Sequence, residues 1–158
     1  MNFRIEQKED FIVVGYKENL NTVNGGENFE QISRMWSELD NERMQKLVSK
    51  SNWSVDGFLG VSDDNGGSSF NYMIATTTDT SDSDGLALVK IPSATWSVFE
   101  CVGAIPESMM EMKGMIQTEW LPNSGYRQAD IPRIEVYPNG NMGSKDYRSE
   151  IWIPIQKI

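Results

Sequence analysis

The chain has no histidine and a single cysteine, Cys101. Without histidine the usual general base is missing, as are Ser-His and Cys-His pairs and most zinc sites. One cysteine closes no intramolecular disulfide and suits a reducing compartment. Cys101 lies in "TWSVFECVG", an apolar strand-like run, and reads as a core residue rather than a nucleophile. No hydrophobic run approaches the length of a membrane span. The N-terminus "MNFRIEQKED" is charged early and has no apolar signal core. These absences point to a cytoplasmic protein with no membrane partner. Positive charge is also scarce: 14 Lys and Arg stand against 23 Asp and Glu, a net charge of −9. Such a chain repels phosphate backbones, so direct nucleic-acid binding is not expected, and its field favours cations.

What is present fits one soluble domain, residues 1–158, read as two similar halves, about 1–80 and 85–158. With 158 residues and 39% hydrophobic composition, it can bury a core without staples. "FIVVGY" is a buried strand pattern. After "NGGE", with Asn28 placed as a helix cap, the period changes. Phe29, Ile32, Trp36 and Leu39 recur at three and four residues, the stripe of an amphipathic helix. It continues weakly to Met44 and Leu47 after a break at "DNE". "GFLGVSDDNGGSSFNYMIATTT" reads as two strands around a turn at Asp64-Asn65-Gly66-Gly67.

The order then restarts. "GLALVKIPSATWSVFECVG" gives strands broken at Pro92. "PESMMEMKGMIQTEWL" is a helix with Pro106 in its first turn and Met109, Met112, Ile116 and Trp120 as its stripe. "PNSGYRQADIP" reads as a loop, and "RIEVYPNG" and "YRSEIWIPIQK" as a closing strand pair. A strand, a helix and two strands, twice over, predict an α+β fold: a duplicated βαββ module whose antiparallel sheet carries two helices on one face.

In the last two strands an acid sits two residues from a large aromatic: Glu135 with Tyr137, and Glu150 with Trp152. If Ile134, Val136, Ile151, Ile153 and Ile155 face the helices, then Glu135, Tyr137, Arg148, Glu150 and Trp152 share the opposite face. Aromatic faces attract cations, and a carboxylate among them favours a ligand that brings its own positive charge. The alternative is plain: Glu150 with Arg148, and Glu135 with Arg133 or Lys145, form surface pairs worth little, or Trp152 is core with the faces reversed. The acidic loop "DTSDSDG" lacks the length and terminal glutamate of an EF-hand. No metal and no cofactor is expected.

The C-terminal motifs, taken together, resemble those of the GyrI-like effector-binding domain, also called the AraC-type or bacterial transcription activator effector-binding domain. They are Trp120-Leu121-Pro122, Ser124-Gly125-Tyr126, Pro132 with Glu135 and Tyr137, and Glu150-Ile151-Trp152-Ile153-Pro154-Ile155. The resemblance covers nearly the whole chain, strongly from Trp96 onward and weakly before Asn52. It implies a ligand groove between the two halves. In the multidrug-sensing activators it implies lipophilic cations held by aromatics and a buried glutamate. By motif position Glu150 is the best match for the ligand-facing acid, with Trp152 and Tyr137 stacking and Glu135 as the other acid. Trp120 and Tyr126 would line or support the groove, and Tyr16 and Tyr72 come from the first half. No helix-turn-helix accompanies the domain, so a stand-alone member is expected.

The leading function is a small-molecule binding protein for lipophilic cationic or aromatic compounds. One alternative is a metal-free hydrolase of strained, cyclopropane-bearing electrophiles, with Glu150 or Glu135 catalytic. Another is a gyrase-inhibitor-like protein-interaction module, whose acidic surface would meet a protein partner. An exposed sheet edge leaves room for a homodimer.

Overall fold

A computed structural model describes residues 1–64 and 67–158. The expected turn at Asp64-Asn65-Gly66-Gly67 lies partly outside the described residues. The chain order is β1 (Phe3–Lys8), β2 (Phe11–Asn21), α1 (Phe29–Ser37), α2 (Asn41–Lys50), β3 (Phe58–Asp64), β4 (Ser69–Thr78), β5 (Ala87–Ile91), β6 (Ala94–Val102), α3 (Glu107–Met115), β7 (Tyr126–Gln128), β8 (Arg133–Tyr137) and β9 (Arg148–Lys157). A π-helical turn, Ile116–Trp120, extends α3 and is followed by a short helical turn at Leu121–Asn123. The fold is α+β, and every described strand pairing is antiparallel. Among the described residues no helix is long and apolar enough to cross a membrane.

The helix starts follow from their caps. The Asn28 side chain accepts from the Gln31 amide at 3.1 Å and opens α1. The Asp40 side chain accepts from the Arg43 amide at 2.9 Å and opens α2. Each satisfies an amide that the first turn leaves without a partner. The break read at "DNE" is therefore real: two capped helices replace one long stripe. The segment read as a loop at "PNSGYRQADIP" contains β7, a three-residue strand on β9.

The sheet order is β1-β6-β9-β8-β3-β4-β2-β5, with β7 added on β9. Read from its two ends it runs β1-β6-β9-β8 and β5-β2-β4-β3, and these runs meet at β8–β3. Pairing registers place one row across seven strands: Tyr16, Ile74, Gly60, Glu135, Ile151, Phe99 and Phe3. Residues in such a row share a sheet face. The helices cover this face. Ile32 and Met35 of α1 and Leu47 of α2 pack on Phe70, Tyr72 and Ile74. Met109 and Ile116 pack on Phe99, Cys101, Ile151, Ile153 and Ile155.

The neighbouring row, Met73, Val61, Ile134, Trp152 and Val98, belongs to the other face. That face is a core of its own, with Trp96, Val98, Ile134 and Leu59 fully buried. It is closed by curvature. β5 ends the strand order and β6 is second in it, yet only Pro92 and Ser93 join them. Three Cα steps reach about 11 Å, whereas six strand spacings in a flat sheet span about 29 Å. The sheet must curl until its ends meet.

This corrects the expected faces. Glu135 and Tyr137 lie under the helices with Ile151, Ile153 and Ile155, while Glu150 and Trp152 share the curled face with Ile134 and Val136. The reason is register: Ile134 pairs with Trp152 and Glu135 with Ile151. Cys101 is 1% exposed, and burial pushes its thiol up to about 11, as a core role requires.

Candidate functional site

A cleft of about 450 Å³ opens between α1 and α3 above the β3–β8 junction. Phe29, Ile32 and Trp36 form one wall, Met109, Met110 and Lys113 the other, and Phe58, Glu135 and Tyr137 the floor. Phe29, Met110 and Met142 are exposed at its rim. The lining is apolar except at a few points, the usual character of a small-molecule site. Methionine suits such a rim because its unbranched thioether adapts to varied shapes.

Glu135 is 5% exposed and organises the polar part. Tyr137 donates its hydroxyl to Glu135 Oε1 at 2.8 Å, and Tyr72 donates to the same oxygen at 3.3 Å. Trp36 Nε1 donates to the Tyr72 hydroxyl at 2.9 Å, and its ring meets Tyr137 edge-on at 5.0 Å. Lys113 Nζ pairs with Glu135 Oε2. It also reaches Glu27 Oε1 at 3.1 Å, and Arg133 lies 3.7 Å from that oxygen. A buried carboxylate is tolerated because each oxygen is held. Oε1 is held by two rigid phenols, whereas Oε2 faces a flexible lysine.

The electrostatics follow from this packing. Burial, and then the Glu135 charge, pushes the Tyr72 and Tyr137 hydroxyls well above their ordinary range, so both stay protonated donors. Burial disfavours the Lys113 ammonium, but Glu135 and Glu27 outweigh it and hold its value above the ordinary one. Burial likewise disfavours the Glu27 carboxylate, and Lys113 and Arg133 outweigh it and hold its value low.

A second cavity, about 420 Å³ and more polar, lies behind the first. Its lining includes Glu27, Ser62, Gln117, Gln128 and Arg133. Lys113 and Glu135 line both spaces and form the partition. Among the described residues no group of three acids or cysteines is placed to hold a metal ion.

Of the residues singled out from sequence, the structure brings together Glu135, Tyr137 and Tyr72. Glu150 sits on the other sheet face, where Trp152 Nε1 donates to it at 3.0 Å and Arg4 pairs with it at 3.2 Å. Trp152 packs on Trp96 and carries Lys8 over its ring at 4.3 Å. Trp120 and Tyr126 stack 6.3 Å apart beside Phe3, in a shallow depression away from the cleft. Tyr16 lies in another open groove, under Arg43. Lys113, Glu27 and the cleft role of Trp36 were missed. Lys113 carried a signal: four residues after Met109 and three before Ile116, it sits on the apolar stripe of its helix, where a lysine calls for a buried partner.

The profile of the GyrI-like small molecule binding domain matches residues 1–156. The solved structure of SAV2435 bound to tetraphenylphosphonium is 25% identical, with a TM-score of 0.89 over 99% of this chain and 94% of that one. A putative bacterial transcription regulation protein from Staphylococcus aureus MU50 is also 25% identical, with a TM-score of 0.81 over 99% of each chain. The EcmrR C-terminal domain shares the fold at 12% identity and a TM-score of 0.63, covering 99% of this chain and 98% of that one. No curated protein sequence matches significantly.

Proposed function

The chain belongs to the GyrI-like small molecule binding domain family, and from that premise we propose that it binds lipophilic cations in the cleft between α1 and α3, with Glu135 as counter-charge. One observation carries the reading: a carboxylate 5% exposed on the floor of an apolar cleft with Trp36 and Tyr137 beside it. An apolar cleft attracts hydrophobic bodies of any charge. A desolvated carboxylate at its floor adds a preference for those carrying positive charge, because Coulomb attraction strengthens as water is excluded. Aromatic edges and faces complete the selection. SAV2435, similar over 94% of its length, was solved with tetraphenylphosphonium, a bulky lipophilic cation of this class, which supports the assignment.

The ligand sits against Trp36, so its binding has an optical readout. Tetraphenylphosphonium should quench tryptophan fluorescence saturably, and Trp36→Phe should remove most of that change. A quench of full size in the variant would contradict the assigned cleft.

A further inference from the structure

We propose that Lys113 is a resident competitor for the ligand's positive charge. Its ammonium fills the place beside Glu135 that a bound cation needs, and it retracts into the polar cavity when one arrives. The inference rests on the cation reading and adds what sets its selectivity.

Lys113 Nζ touches both Glu135 and Glu27. Leaving Glu135 therefore does not strand the ammonium, since Glu27 Oε1 already lies 3.1 Å away. The polar cavity supplies what a retracted ammonium lacks. Glu27 Oε2 and Ser62 Oγ are both buried there, and among the described residues they have only each other as neighbouring polar partners; Ser62 is 4% exposed. A carboxylate and a hydroxyl paired in this way keep lone pairs free to accept further hydrogen bonds. An ammonium has three donors, enough for both carboxylate oxygens of Glu27 and for the serine. The carboxylate end is built for exchange too: Tyr72 and Tyr137 keep Oε1 fixed while Oε2 changes partner.

The consequence is a threshold. A neutral aromatic enters the cleft without disturbing Lys113 and gains nothing from Glu135. A cation gains the carboxylate only by displacing an ammonium already in place, so its apparent affinity is lowered by the population of that closed pair. Removing Lys113 should favour cations selectively. Removing Glu27 should hold Lys113 more firmly on Glu135.

Calorimetric titration at pH 8 tests this with tetraphenylphosphonium and with neutral triphenylphosphine oxide, on wild type, Lys113→Met and Glu27→Gln. The expected result is cation binding tighter by about tenfold or more in Lys113→Met and weaker by severalfold in Glu27→Gln, with the neutral compound changed less than about twofold. Wild-type cation binding that is not tightened in Lys113→Met overturns the role of Lys113 and leaves the cation site standing. An equal gain for both compounds also overturns it, because only space was gained. If Lys113→Met does not fold, an undiminished affinity in Glu27→Gln overturns it alone. No cation binding by any protein tested removes the cation reading and this inference together.

Discussion

Gly60 lies directly across the β3–β8 pair from Glu135, at the junction of the two runs of the sheet. A Cβ on Gly60 would stand 2.9 Å from Glu135 Oε1 and closer still to the Tyr72 hydroxyl. The missing side chain makes room for the phenol–carboxylate contact. Tyr72 is fully buried, so its ring has little freedom to yield. Gly60→Ala should cost about 1–3 kcal/mol, as overpacking does, and should weaken cation binding by shifting Glu135. Urea unfolding checks the first effect and titration the second. An alanine variant as stable as wild type would show that the network tolerates a methyl group.

Stability should fall at high pH. Tyr72, Tyr137 and Lys113 all have folded values raised above the ordinary 10.0 for tyrosine and 10.5 for lysine. A raised folded value means stability fully present below the unfolded value and lost as pH rises through the folded one. All three groups act in the same direction above about pH 10. Glu27, held low, acts oppositely: its contribution is present above the ordinary 4.5 and is lost as pH falls through its lowered value. Melting temperature should thus decline on both limbs, and Tyr137→Phe should make the alkaline limb shallower. An alkaline limb as steep in the variant would remove Tyr137 from this account.

Trp152 and Glu150 should matter to stability and not to the ligand. Trp152 is 4% exposed within the curled face, so Trp152→Ala should cost about 3–5 kcal/mol. Glu150→Gln loses a partly exposed contact with Arg4 and should cost about 1 kcal/mol or less. Neither faces the cleft, so tetraphenylphosphonium affinity of Glu150→Gln should equal that of wild type. A loss of affinity there would return the site to the face expected from sequence.

The helices were legible because apolar residues recur at helical spacing, strongly in α1 and only slightly in α3. Ile32 and Trp36, and Met109 and Ile116, repeat at helical spacing, and Asn28 is a recognisable cap. The acid–aromatic pairs were legible too, but not which pair lines the cleft. Period two within a strand leaves the phase between two strands undefined, and only pairing register fixes it. Composition gave no help, because both faces of this sheet are buried: one lies under helices, the other inside the curl. The short β5–β6 link at Pro92 and Ser93 was visible, but its meaning depends on a strand order that no local pattern carries.

Calorimetry of Glu135→Gln against wild type tests the central claim most directly, with tetraphenylphosphonium and triphenylphosphine oxide as a charged and an uncharged probe. The substitution keeps size and hydrogen bonding near Tyr72 and Tyr137 and removes the charge. The account predicts cation affinity lower by about 1–3 kcal/mol, the worth of a contact to a charged group, with the neutral compound unaffected. Equal cation affinity in the two proteins, or the same loss for both compounds, would contradict Glu135 as the counter-charge.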